Sequence, residues 1–152
     1  MINLINGKTP TEFIIGGLID YLEKKTGLKV LDRDITEDIQ RPCIILDVAK
    51  ITKDLFGHMP HYNFEINVYY FANSLYRGYA DLYQKAEEIM DILSGRINLT
   101  DTFNITVEDK QTEFYRADKA LKVYGTIDAA FEYEDDSTAD IMEELNINLQ
   151  EG

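Results

Sequence analysis

The spacing of hydrophobic residues changes several times along this chain, and each change predicts a different element. After Thr9, hydrophobic residues recur every three to four positions, which is the spacing of one face of an α-helix. Thr9 can cap this helix, Pro10 suits its first position, and Gly27 can end it. Gly16 and Gly17 lie mid-helix, where each costs about 1 kcal/mol relative to alanine. We therefore expect a sheet or a neighbouring chain to approach closely there.

The rest of the chain shows a second helical pattern and several strand-like stretches. Helical spacing returns over 75–93, after a cap at Asn73 or Ser74 and before Gly95. The clearest strand is 61–71, in which large apolar residues alternate with mainly polar ones. The predicted strands are 28–32, 43–51, 61–71, 103–114 and 121–134, with a loop over 52–60 and a turn over 116–119.

This order of elements predicts an α+β fold. Strands joined as hairpins form a mostly antiparallel sheet, and the two main helices pack on one face of it. The sequence shows no internal repeat and no linker long enough to separate two domains. We expect one domain over 1–136 and an acidic C-terminal arm over 137–152.

Composition fits a chain that folds without covalent or metal support. A chain of 152 residues with 45% hydrophobic residues can bury a sizeable core. Cys43 is the single cysteine, so no internal disulfide can form, and a reducing cytoplasm suits folding. We expect no secretory signal and no membrane partner, because the hydrophobic run near the N-terminus is far too short to span a bilayer.

The charge is strongly acidic and unevenly distributed. The net charge is −13, and the part of the chain after Lys122 contains nine acidic residues and no lysine or arginine. Such a balance disfavours nucleic-acid binding, so we expect no direct nucleic-acid specificity. The acidic end is interpreted either as a solvated tail or as an electrostatic docking segment.

Candidate metal sites fail on spacing. His58 and His61 form an H-x-x-H pair, but no cysteine or carboxylate follows at zinc spacing. An acidic loop imitates the first half of a calcium-binding loop, with alternating residues Asp32, Asp34, Thr36 and Asp38. The pattern then fails, because Glu37 stands where glycine is required and Cys43 where glutamate is required. We predict no metal and no cofactor.

Candidate catalytic groups are equally weak. Cys43 begins a hydrophobic strand, so a small core residue is the favoured interpretation, and a nucleophile would need a nearby histidine and a positive setting. Asp135 and Asp136 lie in the acidic tail rather than in a predicted pocket. We predict no catalytic residues and no enzyme activity.

Three stretches carry a resemblance to a known family. They are QRPCII at 40–45, an entry into a hydrophobic strand after an acidic loop; FEINVYYF at 64–71, at a strand-to-helix junction; and MEELNI at 142–147, near the end. With the order of elements, they make the chain resemble the phage tail terminator family of Gram-positive siphophages, myophages and phage-tail-like bacteriocins. The resemblance covers most of the chain, although its motifs are short.

The resemblance implies a structural role in the virion. Such proteins form a hexameric ring on the last ring of the tail tube, stop its elongation and present a surface for the head connector. In contractile tails the ring also holds the last sheath ring. The implied partners are copies of itself, the tail tube protein, sheath protein and the head–tail connector. The implied location is the head-proximal end of the tail, after assembly in the host bacterial cytoplasm. Two alternatives remain open: a head–tail adaptor or neck protein, and a small enzyme or regulator with an unrecognised site.

Two segments are candidate interfaces. The predicted loop 52–60 carries large apolar residues, Leu55, Phe56 and Met59, which would be costly to expose unless a partner covers them. The arm is too apolar for a disordered tail and too short to fold alone, and its apolar residues include Ile141, Met142, Leu145 and Ile147. Each segment packs either on its own domain or on a neighbouring subunit or tube.

Overall fold

The computed structural model describes residues 7–31, 40–56, 59–73 and 79–131. Within them the chain forms two α-helices, a short 3₁₀-helix (Arg116–Asp118) and six strands. The helices are α1 (Pro10–Thr26) and α2 (Tyr79–Ile92); the strands are β1 (Val30–Leu31), β2 (Cys43–Phe56), β3 (Met59–Phe71), β4 (Arg96–Asn98), β5 (Asn104–Tyr115) and β6 (Ala120–Ala130). The predicted α+β class is confirmed.

The strands form one sheet in the order β1-β2-β3-β6-β5-β4. β1 runs parallel to β2, and the other neighbouring strands are antiparallel. β3, which contains the predicted strand 61–71, and β6 occupy the centre of the sheet. α1 and α2 contribute to one hydrophobic core on one face of the sheet, with fully buried side chains that include Ile14, Leu18, Leu22, Phe64, Ile66, Leu82, Ile89 and Leu121.

The start and end of α1 follow the sequence prediction. The Glu12 backbone N–H donates to the Thr9 hydroxyl oxygen at 3.2 Å, and that hydroxyl donates to the Glu12 carboxylate at 2.9 Å. At the other end Gly27 adopts φ 70°, and its N–H donates to the Glu23 carbonyl oxygen at 2.9 Å. These contacts satisfy backbone groups that a helix terminus leaves without partners.

The mid-helix glycines differ in their surroundings. A Cβ on Gly17 would lie 3.1 Å from the Leu99 side chain, which follows β4. A Cβ on Gly16 would meet only the Lys8 ammonium, at 3.9 Å. The predicted close approach is therefore confirmed for Gly17 and is made by the segment between β4 and β5.

The predicted loop 52–60 is wrong. β2 continues to Phe56 and β3 begins at Met59, so the two strands form one long hairpin. The described residues 49–55 of β2 are all exposed, so no burial alternation marks them as a strand in the sequence. A bulge between Val48 and Lys50 also interrupts the alternation.

Other departures concern short elements and segment ends. β4 was not predicted, because three residues after Gly95 carry too little pattern to be recognised. β6 ends at Ala130, and 132–152 lie outside the described residues, as does the predicted cap Ser74. The acidic loop 32–39 and His58 also lie outside them. Neither described helix is long and apolar enough to cross a membrane.

Candidate assembly interface

The outer part of the β2–β3 hairpin carries three of the four large apolar side chains that are exposed among the described residues; Tyr83 on α2 is the fourth. We call this part of the hairpin the hairpin end; it comprises 49–56 of β2 and 59–61 of β3. Ile51 is 47% exposed, Leu55 65% and Met59 39%. The described part of the chain therefore leaves apolar surface uncovered at the hairpin end.

Strand register places these residues on both faces of the hairpin. Ile51 is paired with the buried Phe64, and directly opposed residues share a face, so Ile51 lies on the same side as the helices. Leu55, four residues on, shares that side. Met59 is paired with Phe56, one register position beyond Leu55, and lies on the opposite side, which we call the open face. The predicted interface residues of the hairpin are therefore close in the chain but point in two directions.

Polar and aromatic side chains order the hairpin end. The Lys53 ammonium lies 5.4 Å from the centre of the Tyr62 ring, a cation–π contact. On the open face the Asn63 side chain donates to the Asp128 carboxylate at 2.6 Å, and His61 Nε2 lies 3.7 Å from the same carboxylate. His61 therefore neighbours a carboxylate on β6, and no group of three or more potential metal ligands occurs among the described residues.

The chain leaves the sheet at this same end. The Phe131 backbone N–H donates to the Pro60 carbonyl oxygen at 3.0 Å, and the Phe131 ring packs edge-on against Tyr62, with centroids 5.4 Å apart. The last described residue, Phe131, thus lies beside the hairpin end. The predicted interface residues of segment 132–152, Ile141, Met142, Leu145 and Ile147, lie outside the described residues and stay a prediction. Nothing in the sequence indicated that the end of β6 lies beside the hairpin end, because the β3–β6 pairing joins residues far apart in the chain.

The stretches that carried the family resemblance have definite places in the fold. QRPCII leads into β2, where the Arg41 guanidinium donates to the carbonyl oxygens of Ala72 and Asp118 at 3.3 and 3.0 Å. FEINVYYF forms most of β3, and MEELNI lies outside the described residues. Cys43 is 2% exposed and packs with Ile45, consistent with a small core residue.

The open face carries a polar network along β5 and β6. The Glu113 carboxylate accepts a hydrogen bond from the Tyr115 hydroxyl at 3.0 Å and another from the Lys122 ammonium at 3.4 Å. These two hydrogen bonds, the Tyr115 one foremost, hold the pKa of the Glu113 carboxyl below its usual value. Next to it the Tyr124 hydroxyl donates to Gln111 Oε1 at 3.1 Å. This perturbed carboxylate is exposed on a sheet surface rather than enclosed in an apolar pocket, so it does not point to catalysis.

A shallow depression of about 260 Å³ lies between the end of β3 and α2. Tyr70, Asp81, Lys85 and Glu88 line it, and the Lys85 ammonium lies 5.3 Å from the centre of the Tyr70 ring. Burial raises the pKa of the Tyr70 phenol. The residues that line the depression include no histidine or cysteine, and we assign it no catalytic role.

Comparison with known proteins identifies the family of the chain. No curated protein sequence matches the chain. A family model described as phage tail terminator protein matches residues 14–141, which span both helices and all six described strands except for the first residues of α1. Because this match covers most of the chain, the protein belongs to the phage tail terminator family and is a structural component of a phage tail.

Proposed function

We propose that this protein forms a hexameric ring on the last ring of the tail tube, stops tube elongation and presents the surface to which the head is joined. The ring lies at the head-proximal end of the tail and assembles in the cytoplasm of the host bacterium. Its partners are further copies of itself, the tail tube protein, the head–tail connector and, in contractile tails, the sheath protein. The protein acts through binding alone, without catalysis or a cofactor.

The hairpin end is the observation that carries this proposal. An exposed apolar surface at one end of a small domain is costly in water and is typical of protein–protein interfaces. Leu55 and Met59 point to opposite faces of the hairpin, so this end can contact an adjacent subunit on one side and the tube on the other. Phe131 lies beside this end, and the carboxylates of the segment 132–152 that follows it in the chain favour a basic partner surface.

Particles that lack this protein test the proposal. Electron microscopy of a phage whose copy of this chain is disrupted should show tails longer than those of the intact phage, since nothing stops tube growth. Supplying the full chain in trans should restore the normal tail length. Tails of normal length without heads would contradict termination and indicate a head–tail adaptor instead.

Symmetry at the tail end is a second measurement. Averaged images of intact tails should show a sixfold ring of this protein on the last tube ring. A different symmetry, or tails of terminated length without a ring of this chain, would overturn the ring itself.

A further inference from the structure

The sheet has an open edge on each side. On the side of β2 away from β3, β1 pairs only with Ile44 and Ile45. On the side of β5 away from β6, β4 pairs only with the first three residues of β5, up to Thr106. Among the described residues no strand covers β2 beyond these positions or β5 from Val107 to Tyr115. Such edges carry backbone N–H and C=O groups that can pair with another chain.

The two edges have the directions that a ring requires. Along the sheet each of β2, β3, β6 and β5 runs antiparallel to its neighbour, so β2 and β5 point in opposite directions. Rotation about a ring axis keeps every strand's direction relative to that axis. The β2 edge of one copy therefore meets the β5 edge of the next as an antiparallel pair, and this head-to-tail contact joins two different surfaces, as a closed ring needs.

The short strands β1 and β4 decide how the edges can be aligned. Cross-strand partners define rows across the sheet: Lys50, Glu65, Thr126 and Glu108 form one row. If neighbouring copies met row to row, β1 would occupy the position needed by the end of β5 near Tyr115. The copies must therefore be offset along the strands, so that Tyr115 of one copy lies past Ile45 of the next copy, on the side toward Lys50.

Side-chain faces limit the offset to an even number of residues. A shift by one residue would turn the helix side of one copy to the open face of the next. An offset of two still places β5 against β1, whereas an offset of four clears β1 and pairs the open edge of β5 on both sides of its bulge. An offset of four residues shifts neighbouring copies by about 13 Å along the strands, and the four strands of one copy span about 19 Å across the sheet. The resulting strand tilt of about 35° lies at the edge of the range found in closed sheets.

We propose that, in the ring, β2 of each subunit pairs with β5 of the next copy at this four-residue offset, so that Lys50 lies opposite Glu113 and Leu55 opposite Val107. The inference rests on the proposed ring and names the contact that closes it. Lys50 and Glu113 then form an oppositely charged cross-strand pair on the open face. Leu55, the most exposed of the large apolar side chains, gains cover on the helix side.

The same register contains one unfavourable pair. It places Asp54 opposite Glu108, and like charges directly opposed weaken strand pairing. This pair lowers the stability of the contact, which the Lys50–Glu113 pair and the cover of Leu55 offset.

Disulfide trapping tests the pairing and its register. Thr52 and Gln111 are both exposed and would lie opposite each other between copies. Within one chain they are three strand spacings apart, about 14 Å or more. This exceeds the limit of about 7 Å between the Cα atoms of a disulfide, so any bond between them joins two subunits. The full chain with Thr52→Cys and Gln111→Cys is incorporated into tails and oxidised mildly. A denaturing gel without reductant should then show a ladder that ends at six chains.

Matched variants separate the outcomes. Lys50→Cys with Glu113→Cys should give the same ladder, whereas Lys50→Cys with Glu108→Cys, the row-to-row alignment, should not. A ladder from Lys50→Cys with Glu108→Cys alone would overturn the four-residue offset. Dimers without higher species would overturn head-to-tail pairing. Rings visible on tails without any cross-link would overturn the edge pairing and leave the proposed function standing. Absence of a ring on tails carrying the unaltered chain would instead refute the proposed function.

Discussion

Gly125 on β6 lies beneath the bulge of β5, where a Cβ would come within 2.8 Å of the Glu108 carbonyl oxygen. The bulge inserts an extra residue between Glu108 and Gln111, and Asp109 there adopts φ 54°. Because the obstructing atom belongs to the backbone, it cannot move aside as a flexible side chain would. Only glycine lets β5 bend in this way at this distance from β6.

Gly125→Ala should therefore destabilise the fold. Overpacking of this kind costs about 1–3 kcal/mol. We expect a clear fall in the midpoint of thermal unfolding measured by circular dichroism. A midpoint equal to that of the unaltered protein would show that the bulge shifts without cost.

Two adjacent glycines on α1 offer an internal comparison. Gly16→Ala should stabilise the protein by up to about 1 kcal/mol, because alanine favours helix and only the end of Lys8 is near. Gly17→Ala gains the same propensity but presses a methyl group against Leu99, at 3.1 Å. We expect the unfolding free energy to rise for the first variant and to rise less or fall for the second. Equal gains at both positions would contradict the close approach of Leu99.

Two leucines of β2 separate assembly from folding. Leu46 is 3% exposed, so Leu46→Ala should cost about 2–5 kcal/mol of folding stability. Leu55 is 65% exposed, so Leu55→Ala should leave the unfolding midpoint nearly unchanged and reduce incorporation into tails. A large loss of thermal stability from Leu55→Ala would assign that side chain to folding rather than to assembly.

Phe56, at the end of β2, is predicted to behave like Leu55. Phe56→Ala should weaken tail capping, counted as the fraction of tails of normal length, and should leave the unfolding midpoint nearly unchanged. Phe56→Leu, which keeps an apolar side chain at the same position, serves as the control. Equal capping by Phe56→Ala and the unaltered chain would exclude Phe56 from the interface.

Removal of the C-terminal segment tests its role. A chain that ends at Asp136 keeps β6 and the Phe131–Pro60 hydrogen bond, so it should unfold at nearly the same temperature as the full chain. We expect it to fail in capping tails, because the apolar residues from Ile141 onward are lost. Normal capping by the shortened chain would show that the segment is not an assembly element.

Much of the fold could be predicted because several elements depend on local pattern. The helix caps at Thr9 and Gly27 are local chemistry, and both are found as predicted. β3 is buried on one face along most of its length, so its alternation is visible in the sequence. These signals were enough to assign the α+β class and the core-facing side of β3.

The large apolar residues of the hairpin end were identified from the sequence, but the conformation of the segment was predicted wrongly. The sequence left open whether Leu55 and Met59 pack on their own domain or on a partner; both are exposed, and they lie on strands rather than in a loop. Strand 49–55 is held by pairing with β3, and neither of its faces is buried. A strand stabilised by backbone hydrogen bonds to a distant segment leaves little mark on its own residue pattern.

The sequence alone determined which residues prefer helix, which alternate as strands and which large side chains need cover, because propensity and periodicity are properties of neighbouring residues. Only the tertiary structure decided that Phe131 meets Pro60, that Gly125 lies beneath a bulge, and that Lys50 and Glu108 end one row across the sheet. These relationships join residues far apart in the chain. They depend on strand order and register, which are set when the separate elements pack together around one core.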